Sequence, residues 1–160
     1  MELIIQKATE LGVSAIVSFK SEKSISLEER ETKQKKAHRW QEIAIKAVQQ
    51  SRRAKVSLVE EYRFFEEALE YCSEVGLKIL LWEKEGESLR DILKKYSTSN
   101  PPFKKTYLMV GPEGGFTEEE VRLAEKKGFI PVKLGQRILR TETAAITLVG
   151  ILQYELGDIG

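Results

Sequence analysis

The sequence predicts an α/β domain, a mostly parallel sheet with helices on both faces, and three observations carry that prediction. Short apolar runs that read as strands alternate along the chain with stretches of helical periodicity. KILLW reads as an apolar strand and TYLMV as a continuous one, as strands covered on both faces do. The last helical stretch is apolar on nearly every side and needs cover on two of them. Length and composition agree: 160 residues, 41% hydrophobic and 32% charged, fit a single soluble domain with a proper core.

The chain opens with a helix in which Leu3, Ile4, Lys7, Ala8 and Leu11 follow helical spacing and Gly12 closes the last turn. Val13 to Phe19 reads as a buried strand and Lys20 to Thr32 as a polar loop. A long helix through KKAHRWQEIAIKAVQQSRR sets Trp40, Ile43, Ala44, Ala47 and Val48 on one core-facing stripe, with His38 on its solvated side. Its last turn carries Arg52 and Arg53, which suit the negative end of the helix dipole. Val56 to Val59 is a short strand, Phe64 to Ser73 a helix, and Leu77 to Trp82 a strand closed by Glu83. Ser88 caps a helix reaching Tyr96, and STSNPP at Ser97 to Pro102 cannot continue it. TYLMV is the next strand. After GPEGG, Thr117 and Glu120 form a capping box that starts a helix ended by Gly128. IPVKL is the last strand, and the final helix runs from Glu142 to about Leu156. Its Ala145, Leu148, Val149 and Leu152 share one face, with Ala144, Ile151 and Tyr154 around it.

Composition removes several kinds of chemistry. There is no apolar run long enough for a membrane span and no basic-then-apolar leader, so the expected location is the cytoplasm. Cys72 and His38 are single, which sets aside disulfide frameworks, metal clusters and histidine-based triads. The net charge of +1 neither indicates nor excludes an RNA partner.

The functional signal gathers in two glycine loops, Gly111 to Gly115 and Leu134 to Ala145, each directly after a strand, where ligands of open α/β sheets bind. Neither matches a phosphate-binding fingerprint. Glu113 favours a cofactor carrying positive charge over a bare triphosphate, because a carboxylate buried beside phosphates costs several kcal/mol. In LGQRILRTETAA, Gly135 opens the backbone, Thr141 stands at the expected N-cap and Glu142 at the positive end of the dipole. Arg137 and Arg140 flank Ile138 and Leu139, so the loop offers cations beside an apolar surface, suited to a flat heterocycle with a charged tail.

Four segments together resemble the ribosomal RNA small subunit methyltransferase E family, RsmE. They are KATELGV at Lys7 to Val13, the RW and QS pairs of the long helix, GPEGGFTEEE at Gly111 to Glu120 and LGQRILRTETA at Leu134 to Ala144. The resemblance covers the whole chain. It implies the SPOUT class, an α/β fold with a C-terminal trefoil knot, which periodicity cannot reveal. It implies S-adenosylmethionine as cofactor, a homodimer, no metal and no membrane, and methylation of uridine N3 in 16S ribosomal RNA, free or within the small ribosomal subunit. Residues 1–160 would be the catalytic domain alone, without the family's N-terminal PUA-like barrel. The family's threonine-glutamate-arginine triplet reads Ser21, Glu22 and Lys23 here, and its glutamate before the QS pair is Gln49.

Carried onto this chain, the resemblance implies a cofactor pocket lined by Leu81 and Trp82, by Gly111, Pro112, Glu113, Gly114 and Gly115, and by Leu134, Gly135, Ile138 and Leu139. Arg140 is the candidate for stabilising charge on the uracil oxygens, and Glu142 or Glu113 the candidate base. Lys23, Arg52, Arg53 and Arg137 are the candidates for RNA phosphates. Two other readings stay open at this point: a SPOUT enzyme for another acceptor, a ribose 2′-hydroxyl or guanine N1, and a non-catalytic RNA- or nucleotide-binding domain.

Overall fold

A computed structural model describes residues 1–24, 30–97 and 105–159. Helix α1 (Glu2–Glu10) leads into β1 (Ala15–Ile16) and β2 (Phe19–Lys20), and the long helix α2 spans Arg30–Ser51. β3 (Leu58–Val59) and β4 (Arg63–Phe64) precede α3 (Phe65–Tyr71), followed by β5 (Leu77–Leu81), β6 (Glu87–Ser88) and α4 (Leu89–Ser97). The last third comprises β7 (Thr106–Val110), α5 (Glu118–Lys126), β8 (Ile130–Lys133) and α6 (Thr141–Leu156). Every described strand pairing is parallel, as the alternation of elements requires. The strands form a four-stranded sheet in the order β6-β8-β5-β7 and two short pairs, β1 with β3 and β2 with β4.

The helix predictions hold with shifted boundaries. α2 begins at Arg30, inside the predicted polar loop, and Ser97, placed in a turn, is the last residue of α4. Positions 25–29 of the first loop and 98–102 of STSNPP lie outside the described residues. The predicted strand Val13–Phe19 is instead the two-residue β1 and β2, which pair in succession with β3 and β4. β4 and β6 were not expected. Glu87 and Ser88 are exposed and polar, and they join the sheet through backbone pairing with Val132 and Lys133, which hydropathy does not report.

Alternation along β5 divides the core between the two faces of the sheet. Leu80 packs with Met109 of β7 against Ala68 and Leu69 of α3 and Val121 and Ala124 of α5. Leu77 and Ile79 face the other way, onto Ile92 and Leu93 of α4 and Leu148 and Leu152 of α6. A third cluster joins α1 to α2 through Ile5, Ala8, Trp40 and Ala44. Its members from α2 are part of the predicted stripe. No helix among the described residues is long and apolar enough to cross a membrane.

Candidate active site

Backbone register builds the site. β5 lies between β8 and β7, and Leu81 is level with Val110 on one side and Val132 on the other. Three parallel strands therefore finish flush at one edge of the sheet, and the Trp82 amide extends the ladder by donating to the Val132 carbonyl at 2.9 Å. The segments leaving that edge are Trp82–Glu83, the 111–116 loop and the 134–140 loop. All the candidate cofactor-pocket residues belong to these three segments, with Leu81 as the last residue of β5.

The 111–116 loop is anchored from below by Phe116. Its side chain is wholly buried, stacked on Phe19 at 6.2 Å between ring centroids and tilted against Phe65 at 5.8 Å. A tight turn closes above it, the Gly115 amide donating to the Pro112 carbonyl at 2.8 Å. Gly115 has φ +69, and a Cβ there would fall 2.4 Å from Glu83 Oε1, so glycine is needed both for the backbone angle and for the approach of that carboxylate. A Cβ on Gly114 would stand 3.0 Å from the Cβ of Lys23, whose ammonium donates to the Phe116 carbonyl at 3.3 Å. Lys23 is thus brought to the 111–116 loop from a distant part of the chain. Glu113 is exposed at the tip of the turn.

In the 134–140 loop, Leu134 and Leu139 are half-buried, while Gln136, Arg137, Ile138 and Arg140 are exposed. Ile138 is 88% exposed, an apolar side chain presented to the space beyond the sheet edge. Gly135 has φ +74 with nothing within 4 Å of where a Cβ would project. One expectation is corrected here: Arg140, not Thr141, is the N-cap of α6. Arg140 has an extended backbone and accepts the Ala144 amide at 2.8 Å, but its side chain makes no cap bond, and Thr141 is already the first helical residue. Glu142, half-buried, lies in the first turn as predicted.

The two arginines after α2 separate. Arg53 inserts its guanidinium between carbonyls, donating to Thr9 O at 2.5 Å and Val13 O at 3.5 Å, so it caps the carbonyl end of α1. Arg52 is exposed and holds a left-handed backbone, φ 56, where the helix stops. Sequence reasoning missed the contributions of Glu83, Phe116 and Ser21. Phe116 carried a signal, as the one aromatic residue directly after a glycine loop; the other two act across sequence separations that no local pattern reports.

Comparison with known proteins agrees with this geometry. The sequence pattern of the RNA methyltransferase domain matches residues 1–153. The chain belongs to the RNA methyltransferase domain family. Within that family it is 36% identical over 160 residues to the Ribosomal RNA small subunit methyltransferase E of Bacillus subtilis, an alignment covering 97% of this chain and 61% of the relative. The solved RsmE of Neisseria gonorrhoeae, described as bound to S-adenosyl methionine, superposes with a TM-score of 0.84 at 36% identity, covering 100% of this chain and 62% of that one. A putative methyltransferase of Legionella pneumophila, described as complexed with the cofactor SAM, gives 0.83 at 36% identity, with 96% and 60% covered. The chain spans about three fifths of the length of these relatives. The motif resemblance to RsmE is therefore borne out.

Proposed function

We propose that this domain transfers a methyl group from S-adenosylmethionine to N3 of a uridine in 16S ribosomal RNA, within the cytoplasm and as a homodimer. The observation that carries the reading is the flush edge of β8, β5 and β7, which brings the two glycine motifs and the Trp82–Glu83 segment to one end of the sheet.

The residues present fit such a cofactor. The space over Gly135 is open, the neighbouring Ile138 offers apolar surface, and backbone at the glycines is free to approach a ligand closely. Glu83 and Glu113, both exposed, bring carboxylates to the same edge, where like charge disfavours a bare triphosphate and opposite charge suits a sulfonium and an amine. The buried indole N–H of Trp82, at the end of β5, has no acceptor among the described residues, which is the kind of group a bound ligand satisfies. Leu81, Trp82, Gly111 to Gly115, Leu134, Gly135, Ile138 and Leu139 would hold the cofactor.

When bound, S-adenosylmethionine supplies an activated methyl group, so the protein has to orient the acceptor and handle its proton. Uridine N3 carries a weakly acidic hydrogen. Glu142, or Glu113, receives that proton as the N3–methyl bond forms and the carbon–sulfur bond breaks. Arg140, exposed beside α6, stabilises the negative charge that develops on the uracil oxygens. Lys23, Arg52 and Arg137 take phosphates, and Arg53, engaged with carbonyls, is the weakest of the four candidates for that role. The segment from Leu134 onward, threaded as a trefoil knot, would give a loop that is otherwise exposed a fixed shape. Residues 1–160 then act as the SPOUT catalytic domain.

Calorimetry with S-adenosylhomocysteine tests the cofactor, with a micromolar-class site expected, about −8 kcal/mol. Mass spectrometry of ribosomal RNA from cells lacking the gene, before and after restoring it, tests the acceptor. Absence of a binding isotherm sinks the enzyme reading, and a restored mark on a ribose or a guanine sinks the acceptor.

A further inference from the structure

Glu120 forms the capping box of α5, yet its carboxylate does more than a cap requires. Oε2 accepts the Thr117 amide at 2.9 Å, the bond that closes the box, and also the Ser21 hydroxyl at 3.1 Å. Oε1 accepts the backbone amide of Glu22 at 2.9 Å. Both outside donors come from a segment nearly a hundred residues earlier, and the bonds are sheltered, Ser21 being 1% exposed and Glu120 7%. The segment is also closed on itself: the Ser21 amide donates to Ser24 Oγ at 3.1 Å and the Ser24 amide to the Ser21 carbonyl at 3.0 Å. Lys23 stands on this turn, against Gly114 and the Phe116 carbonyl.

We propose that Ser21 and Glu120 are positioning residues for RNA, locking the 21–24 turn onto the glycine loop so that the Lys23 ammonium is held at the rim of the cofactor site. This rests on the reading above that Lys23 meets RNA. A carboxylate accepting several charge-assisted hydrogen bonds is a strong fixing point. Holding a lysine in place before the RNA arrives removes part of the ordering cost from binding. Cap and lock are separable in sequence: Thr117→Ala weakens the box and leaves both bonds to Ser21 and Glu22, whereas Ser21→Ala removes a lock bond and leaves the box.

The test is a double-mutant cycle on the full chain, read as affinity for a 16S ribosomal RNA transcript at fixed salt without cofactor. Ser21→Ala and Lys23→Ala are each expected to weaken binding about tenfold, the effect of one hydrogen bond to a charged group. Combining them should weaken it no further than either alone, since Ser21 acts through Lys23. Thr117→Ala should lower the thermal midpoint while RNA affinity stays within about twofold. Should Ser21→Ala fail to fold, Ser21→Cys, which fills the same site but replaces the hydroxyl with a much weaker donor, carries the same comparison. Ser21 effects below about twofold, effects that multiply with those of Lys23→Ala, or a Thr117→Ala loss equal to that of Ser21→Ala each overturn the proposal. Calorimetry with S-adenosylhomocysteine on the unmodified chain is the separate arm: its failure would refute the methyltransferase reading and leave the RNA cycle interpretable.

Discussion

Gly135 has φ +74, with open space where a side chain would project. A valine at that angle suffers strain of about 1–2 kcal/mol, because β-branching crowds a left-handed backbone. The loop is exposed, so this local cost does not threaten the core, but the branched side chain would enter the open space proposed for the cofactor. Gly135→Val should therefore leave the far-ultraviolet dichroism unchanged while reducing affinity for S-adenosylhomocysteine at least about tenfold, or about 1.4 kcal/mol. Wild-type affinity in the variant would remove Gly135 from the pocket. The two arginines after α2 show the limit of reading single residues from sequence. RR after a helix is compatible with capping or with phosphate contact, and only coordinates show that Arg53 caps α1 while Arg52 stays exposed.

At the level of elements, the glycine loop owes its shape to a residue wholly buried beneath it. Phe116 fills the space between Phe19 of β2 and Phe65 of α3, so the loop above it is tied to the core. Phe116→Ala should cost about 3–5 kcal/mol in urea unfolding, a large share of the total stability of a domain this size. Cofactor affinity should fall with it, because the turn from Pro112 to Gly115 loses its support. A loss below about 1 kcal/mol would mean that the pocket collapses around the gap and that Phe116 is not the anchor. Among the elements themselves, the long amphipathic stretches and the capping box of α5 were legible, since each is written within a few consecutive turns. β4 and β6 were not, because two exposed or half-buried residues paired only through backbone leave no hydropathy pattern.

For the whole molecule, the question is what covers α6. Sequence reasoning named Ile151 and Tyr154 as its second apolar face. Ile151 packs against the cluster of Leu77, Ile79 and Leu148 within the chain, so Ile151→Asp would damage the monomer and report nothing specific about assembly. Tyr154 is 64% exposed, and Leu156 and Ile159 beyond it are exposed as well. The α1 end is joined to this region by the Gln153 amide, which donates to the Leu11 carbonyl at 2.6 Å. A two-fold partner seated there would bury on the order of 1,000 Å² or more. On the proposed homodimer, the unmodified chain should sediment as a dimer at tens of micromolar and Tyr154→Asp as a folded monomer. A monomeric unmodified chain would refute the homodimer, and a variant that remains a stable dimer would place the interface elsewhere.

What the sequence determined alone is whatever is encoded within a turn or two of itself. The strand-helix alternation gives the parallel α/β class, the apolar runs give the buried strands, the two glycine motifs mark the candidate site, and the four motif segments together give the family. Tertiary structure decided the rest: the flush ending of β5, β7 and β8, the carboxylate of Glu83 over Gly115, and the bonds from Glu120 to Ser21 and Glu22. Each of these joins residues from separate elements whose spacing along the chain is set by intervening helices and loops. A side chain's periodicity reports which face of its own element is buried, but not which partner is brought to that face.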